Sequence, residues 1–393
     1  MTAEKRGSVA EVFGVAFRLG LTSFGGPVAH IATFRDAYFD RLRWVDERAF
    51  AELVAVTSLL PGPSSSQLGI AIGALRAGKV GGVAAWLGFT LPSAVVMTAL
   101  GLGLASSDPA GAGWLHGLEL AAVAVVLTAL LAMRRALAQD IPLLGIAAFA
   151  ATVAIVLGGV AGQLLPILGA ALAGTWLFSR SVEPLALAIR FPVGRKLAIA
   201  SLVLLATLLA GLPVLRETSS SHAVALVDAM VRAGSLVFGG GHVVLPLLDA
   251  SIVGEGWVSK EDFVAGYGAV QAMPGPLFTF SAYLGAAGEP APNGVPGAAL
   301  ALGAIFLPSF LLLAGVLPLW HMLRRHRAVQ GAVSGVGAAV VGLLAAAFWD
   351  PVLRTAIESA GDAAAALALF VLLRFVPVWG VVALAAAAGA VLF

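Results

Sequence analysis

The sequence predicts an all-α, polytopic helical membrane protein built from two inverted-topology repeats, each with broken, re-entrant helical hairpins. Three observations predict it: an apolar composition in excess of any soluble core, motifs that recur at a near-constant step, and a charge distribution that changes side between the copies.

Of 393 residues, 60% are hydrophobic and 11% charged, with a mean hydropathy of +0.98. Soluble domains carry roughly 45–50% apolar and about 25% charged residues. Apolar stretches near the ~20 residues needed to cross a bilayer recur along the chain. Residues 1–9 are short and polar, without the apolar core and cleavage pattern of a signal peptide. The absence of cysteine removes disulfides, iron–sulfur clusters and thiol nucleophiles. No basic, aromatic-interleaved patch points to nucleic acid.

The repeat is carried by whole motifs. Phe24-Gly25-Gly26 returns as Phe238-Gly239-Gly240, Trp44-Val45 as Trp257-Val258, and Pro61-Gly62-Pro63 as Pro274-Gly275-Pro276. Leu91-Pro92-Ser93 returns as Leu307-Pro308-Ser309, and Leu165-Pro166 as Val376-Pro377, with a step between 211 and 216 throughout. The expected organisation is an N-terminal repeat over 1–190, a linker helix over 191–216 that inverts topology, and a C-terminal repeat over 217–393.

Each repeat opens with two interrupted apolar stretches. In the first they are 9–43, broken at Phe24-Gly25-Gly26-Pro27, and 45–77, broken at Pro61-Gly62-Pro63. Proline and glycine there stop a helix and restart it. Irregular backbone survives in hydrocarbon only when protein or a water-filled cavity surrounds it. Spans are expected at 80–104, 116–133, 141–160 and 163–179. The second repeat has hairpins at 222–252 and 258–287, then spans at 295–318, 328–348, 361–374 and 376–393.

Each repeat crosses the membrane an even number of times, so the unpaired span at 197–212 inverts the second. Charge tests this. With the N-terminus in the cytoplasm, that side collects most of the cations, among them Arg35, Arg41, Arg76, Lys79, Arg134 and Arg135. The far side receives Arg216, Lys260 and Arg354. This bias is the one the positive-inside rule demands. Inverted repeats with discontinuous helices characterise secondary transporters, whose sites lie near the midplane between repeats.

Two arginines remain inside apolar stretches, Arg18 and Arg232, each six residues before a Phe-Gly-Gly break. One reading has them facing a shared oxyanion site, because guanidinium grips oxyanions with several donors. The other has them snorkelling, or pairing with carboxylates such as Glu11 or Asp228. At the tips, Pro63 starts a helix followed by Ser64, Ser65, Ser66 and Gln67, whose free N–H groups and hydroxyls favour an anion. Gly25, Gly26, Gly239, Gly240 and Gly241 allow close approach to the backbone. The second tip, Pro276 followed by Leu277-Phe278-Thr279, is less polar. His242 adjoins the glycine tip and Gln271 precedes the second Pro-Gly-Pro. His30 reads more simply as a structural residue. Glu52, whose repeat equivalent is Ala265, is read either as the carrier of a coupling proton or cation or as a structural salt-bridge partner. The alternative to a site at these glycines and prolines is close helix packing alone.

These motifs, Phe24-Gly25-Gly26-Pro27, Pro61-Gly62-Pro63, Phe238-Gly239-Gly240-Gly241-His242 and Gln271-Ala272-Met273-Pro274-Gly275-Pro276, resemble the long, two-domain form of the chromate ion transporter family. The resemblance implies export of chromate from the bacterial cytoplasm across the inner membrane, with sulfate as a related oxyanion. The residues alone say a small oxyanion. Coupling to a proton or counter-anion is expected, because no P-loop sequence is present. No cofactor, metal or catalytic group is expected. An enzyme would need clustered metal ligands or acid–base pairs that the sequence lacks. An anion channel is the other membrane alternative, and a homodimer is the common form for an oligomer.

Overall fold

The structure, a computed structural model, describes residues 7–24, 26–106, 113–178, 191–237, 244–319 and 327–392. Among them the chain is helical and has no strand. The helices of the first half are α1 (Val9–Thr22), α2 (Gly26–Phe34), α3 (Glu47–Leu59), α4 (Ser64–Ser106), α5 (Gly113–Leu137), α6 (Ile141–Leu157) and α7 (Gly159–Phe178). A connecting helix α8 (Arg195–Thr218) leads to α9 (His222–Leu236), α10 (Val244–Leu248), α11 (Lys260–Ala272), α12 (Phe280–Ala287), α13 (Gly294–Val316), α14 (Arg327–Ala347), α15 (Ala360–Leu372) and α16 (Val378–Leu392). Five stretches among the described residues are long and apolar enough to cross a membrane, in α4, α5, α8, α13 and α14.

Both interrupted stretches of the first half fold back on themselves. α1 starts behind a Ser8 cap, whose hydroxyl accepts from the Glu11 N–H at 3.0 Å, and stops at Ser23. The chain resumes as α2 and returns through a π-helical turn, Arg35–Arg41, to Trp44. Arg76 ties the two ends together: it pairs with Glu11 at 3.3 Å, its carbonyl accepts from Gly7 N–H at 3.1 Å, and its guanidinium lies over the Trp44 ring at 5.3 Å. α3, capped by Asp46, descends to Leu60, and the first leg of α4 climbs back to Arg76. At Ala77 and Gly78 the helix folds over, Gly78 taking φ +73 that glycine adopts without penalty. The expected hairpin leg and following span are therefore two antiparallel legs of one kinked helix. A Cβ at Gly73 would lie 2.5 Å from the Gly81 carbonyl oxygen, so only glycine permits this approach.

The second half repeats the plan. α9 begins at His222, whose ring meets Trp257 at 4.5 Å, and α10 continues through a π-helical turn back to Trp257. α11, capped by Ser259, descends to Met273. After Pro276 a 3-10 turn and α12 climb to Gly288, and Glu289 N–H donates to the Trp257 carbonyl at 3.0 Å. One end of the molecule thus gathers Arg76 and Trp44, another Trp257 and Glu289.

Three long helices connect these ends. The second leg of α4 leaves the Arg76 end and reaches Tyr283 and Ala286 at Gly101. α13 starts against Gly285 and finishes with Gly315 on Leu202 and Ala198, Leu317 packing against the first-half core around Val12 and Phe34. α8 runs from Ala198 to Arg216, which pairs with Glu255 at 2.7 Å and lies over the Trp257 ring.

The remaining helices are exchanged between the halves. α5 of the first half packs on α15 and α16 of the second, and α14 of the second packs on α6 and α7 of the first. The contacts are repeat-equivalent: a Cβ at Gly174 would sit 2.2 Å from the Gly331 carbonyl oxygen, and one at Gly389 2.3 Å from that of Gly113. Small residues let backbones approach in membranes, where dispersion replaces the hydrophobic drive between helices. α5 and α14 are each two-thirds buried along their apolar windows, against 17% for α8, so the exchanged pair forms the centre and α8 the rim.

Candidate functional site

The breaks of one half meet the breaks of the other. Gly62, in the first Pro-Gly-Pro, donates its N–H to the Val237 carbonyl at 2.6 Å. Gly275, in the second, donates to the Ser23 carbonyl at 2.8 Å. The two bonds are equivalent under the repeat, and each joins a Pro-Gly-Pro of one half to the Phe-Gly-Gly region of the other. Both glycines need positive φ, +112 and +96. The repeated Leu-Pro-Ser motif completes each junction. A Cβ at Gly62 would lie 2.7 Å from Ser309 Oγ, and one at Gly275 2.9 Å from Ser93 Oγ.

Proline makes room for this. Pro92 lacks an N–H, so the Gly88 carbonyl loses its helical partner, as the Ala304 carbonyl does at Pro308. The neighbouring α1 and α9 come closest at these turns: a Cβ at Gly20 would lie 2.9 Å from the Gly88 carbonyl oxygen and 2.6 Å from that of Phe89, and one at Gly234 2.0 Å from that of Ile305. The backbone at the tips is thus held by glycines on one side and proline-relaxed carbonyls on the other.

Around the first-half break lies a set of buried donors. His30 Nδ1 is 3.1 Å from Ser65 Oγ, its ring interacts with the Ser23 backbone, and its edge meets Phe89. Ser23 Oγ, His30 Nε2, Ser66 Oγ and Thr90 Oγ1 are buried and have no hydrogen-bond partner among the described residues. A buried polar group left unpaired costs about 1–3 kcal/mol, so four in one neighbourhood mark a place for a polar guest. α4 begins at Ser64; the Gln67 amide donates to the Pro63 carbonyl at 2.9 Å, and the amides before it have no partner within the helix. Helix N-terminus and hydroxyls together favour an anion.

The expected site residues separate into groups. Ser64, Ser65 and Ser66 stand at the start of α4, with Ser65 on His30. Gln67 is fully buried and staples its own tip, Nε2 donating to the Pro61 carbonyl at 2.6 Å and Ser309 Oγ at 3.3 Å. Gln271 reaches the Tyr267 hydroxyl. Thr279 is spent locally, its hydroxyl donating to the Pro276 carbonyl at 2.9 Å. Glu52 is buried on α3, and its equivalent Ala265 is buried on α11. Gly26 starts α2 with φ +78. Gly25, Gly239, Gly240, Gly241 and His242 lie outside the described residues, as does the side chain of Pro27.

The arginines are not brought together. Arg18 stands on the exposed side of α1, away from the face of Val12, Ala16, Leu19 and Gly20. Arg232 pairs with the fully buried Asp228, which Arg216 also reaches at 3.5 Å. Sequence reasoning passed over Ser23, Thr90, Ser93 and Ser309 as site residues and read His30 as structural. The signal for the two serines was present, since each follows the proline of a repeated motif.

A multi-pass helical protein whose broken helices meet around buried donors has the construction of a membrane transporter. The chain belongs to the chromate transporter family, whose profile matches residues 10–175 and 224–390. It is 28% identical to a chromate transport protein of Pseudomonas aeruginosa over 87% of this chain and 81% of that one. It is 25% identical to the chromate transport protein of Cupriavidus metallidurans over 91% and 86%. It is also 34% identical to an uncharacterized transporter of Bacillus subtilis over 33% of this chain and 66% of the other. No solved structure matches.

Proposed function

We propose that the chain exports a divalent tetrahedral oxyanion, chromate by its relatives, from the cytoplasm across the bacterial inner membrane by alternating access at the junction of the four breaks. The observation that carries this reading is the pair of cross-half hydrogen bonds, Gly62 to Val237 and Gly275 to Ser23. They place the tips against one another beside unpartnered donors. Inverted topology of 1–190 and 217–393 about the linker 191–216 is supported by the long helices that join the two ends, and the N-terminus-inside orientation by the cation bias. Sulfate shares the shape and charge of chromate, and the hydroxyl and amide donors favour neither.

The test is uptake of chromate and of sulfate by the purified full chain in liposomes, with and without Ser66→Ala combined with Ser23→Ala. Saturable uptake by the parent chain, with a raised half-saturation concentration in the double variant, is expected. Absence of oxyanion flux would overturn the reading, and non-saturating currents would turn it toward a channel.

A further inference from the structure

A second cluster of polar side chains lies outside the tip junction. On α5, His116 sits between two carboxylates: Nε2 is 3.1 Å from Asp362 Oδ1 on α15, and Nδ1 is 3.3 Å from Glu119 Oε2 on its own helix. Glu119 is 8% and Asp362 5% exposed, the imidazole 20%. The cluster has no counterpart in the repeat, where Ser334 and Gly337 stand in place of His116 and Glu119.

The hydrogen-bond arithmetic calls for a proton. Asp362 is committed to the ionised form, because its Oδ2 accepts from the Glu358 and Ser359 amides at 3.1 and 2.8 Å in a capping box. His116 Nε2 therefore donates to Asp362. Its Nδ1 and Glu119 Oε2 then form a hydrogen bond only when one of them carries a further proton. Without that proton, two acceptors face one another and the buried cluster carries two negative charges. With it, one charge is cancelled.

The groups facing the cluster strengthen this demand. Glu261 on α11 and Glu358 before α15 both act on Glu119. The nearby Lys260 is engaged by Asp350, which also takes Arg354, and Asp262 is engaged by Ser259. Tyr267 on α11 is buried and reaches Gln271. Of the other helices packed on α5, α16 carries no ionisable side chain over its length and α14 carries Arg327 at its first position, while the turn Phe348–Leu353 brings Asp350, already engaged by Lys260 and Arg354.

The cluster also touches the machinery of the tips. A Cβ at Gly268 would lie 2.3 Å from the carbonyl oxygen of Leu118, which stands between His116 and Glu119. Gly268 belongs to α11, and α11 ends in Met273 and the Pro274-Gly275-Pro276 tip. A shift of α5 against α11 is carried straight to that tip.

We propose that His116, Glu119 and Asp362 form the proton-binding site that couples proton movement to oxyanion transport, with the labile proton held between His116 Nδ1 and Glu119 Oε2. The proposal rests on the transport reading above and assigns its coupling site. In transport, the proton binds from the Trp257 end, cancels one negative charge and leaves as α11 moves.

The experiment has two arms on the purified full chain. In liposomes, chromate flux driven by an imposed pH gradient is compared with chromate exchange at equal pH. The Glu119→Gln variant is expected to lose the gradient-driven flux and keep the exchange. Gradient-driven flux equal to the parent chain in Glu119→Gln overturns the proposal. The second arm is infrared difference spectroscopy between high and low pH, which needs no substrate. A titrating carboxylic-acid carbonyl band is expected in the parent chain and absent in Glu119→Gln, with His116→Gln shifting its midpoint. A spectrum unchanged in Glu119→Gln overturns the proposal even if that variant transports nothing. A parent chain that shows the band yet moves no oxyanion refutes the coupling role together with the transport reading, leaving a proton site alone.

Discussion

Substituting Gly62 by alanine tests the tip junction directly. Gly62 has φ +112, where an L-residue costs about 1–2 kcal/mol. The new Cβ would lie 2.5 Å from Gln67 Nε2 and 2.7 Å from Ser309 Oγ, and overpacking of this kind costs about 1–3 kcal/mol. Relief of that clash requires the tip to withdraw from Val237, losing a backbone hydrogen bond of about 0.5–1.5 kcal/mol. A total of about 2–5 kcal/mol, falling on the transport-competent arrangement, lowers flux at least about thirtyfold. The assay is chromate flux in liposomes, paired with the thermal midpoint of the purified protein. Ser309→Ala removes one of the two overlaps, so the double variant should recover part of the loss. Gly26→Ala is the control: its φ is +78, but a Cβ there meets nothing within 4 Å among the described residues, leaving only the conformational cost. Flux and midpoint unchanged in Gly62→Ala would refute the account of the junction.

Further outcomes follow from the same contacts. Gly174→Val and Gly389→Val should each abolish recovery of folded protein, since their Cβ atoms would meet carbonyl oxygens at 2.2 and 2.3 Å, whereas Gly169→Ala, with open space, should purify normally; size-exclusion profiles decide. Arg232→Ala should lower the thermal midpoint, by less than the ~3–5 kcal/mol of a fully orphaned buried charge because Arg216 also reaches Asp228. Adding Asp228→Asn should restore it, and Arg18→Ala, on the exposed side of α1, should leave the midpoint alone. Glu52→Gln should lower the midpoint while gradient-driven flux persists; the reverse result would return the coupling role to Glu52.

The breaks were legible in the sequence because glycine and proline interrupt a helix whatever surrounds them. The repeat was legible because five motifs keep one step. The direction in which a side chain points was not. Arg18 and Arg232 both stand close before a break, but Gly20 lies two positions after Arg18, and two positions turn a helix by more than half a circle. With Gly20 against the Phe89 carbonyl, Arg18 must face away. Asp228 stands four residues before Arg232, a spacing that brings opposite charges together on a helix, so this pair could be anticipated. The repeated Leu-Pro-Ser motif marked Ser93 and Ser309 but not the tip each one meets, and His30 could not be anticipated, because these roles arise from contacts between halves, or between elements of one half far apart in the chain.

The exchange of helices has a bearing on what can move. α5 is clasped by α15 and α16, and α14 by α6 and α7, so the polypeptide midpoint is not a mechanical seam. A transport cycle in which residues before the linker rock against residues after it would tear both clasps open. The parting surface must instead run between the bent tips and a frame of mixed parentage. The same clasps bear on assembly: two half-length chains would each be left with a long central helix bare until they found one another, and joining them through α8 turns that search into an intramolecular one.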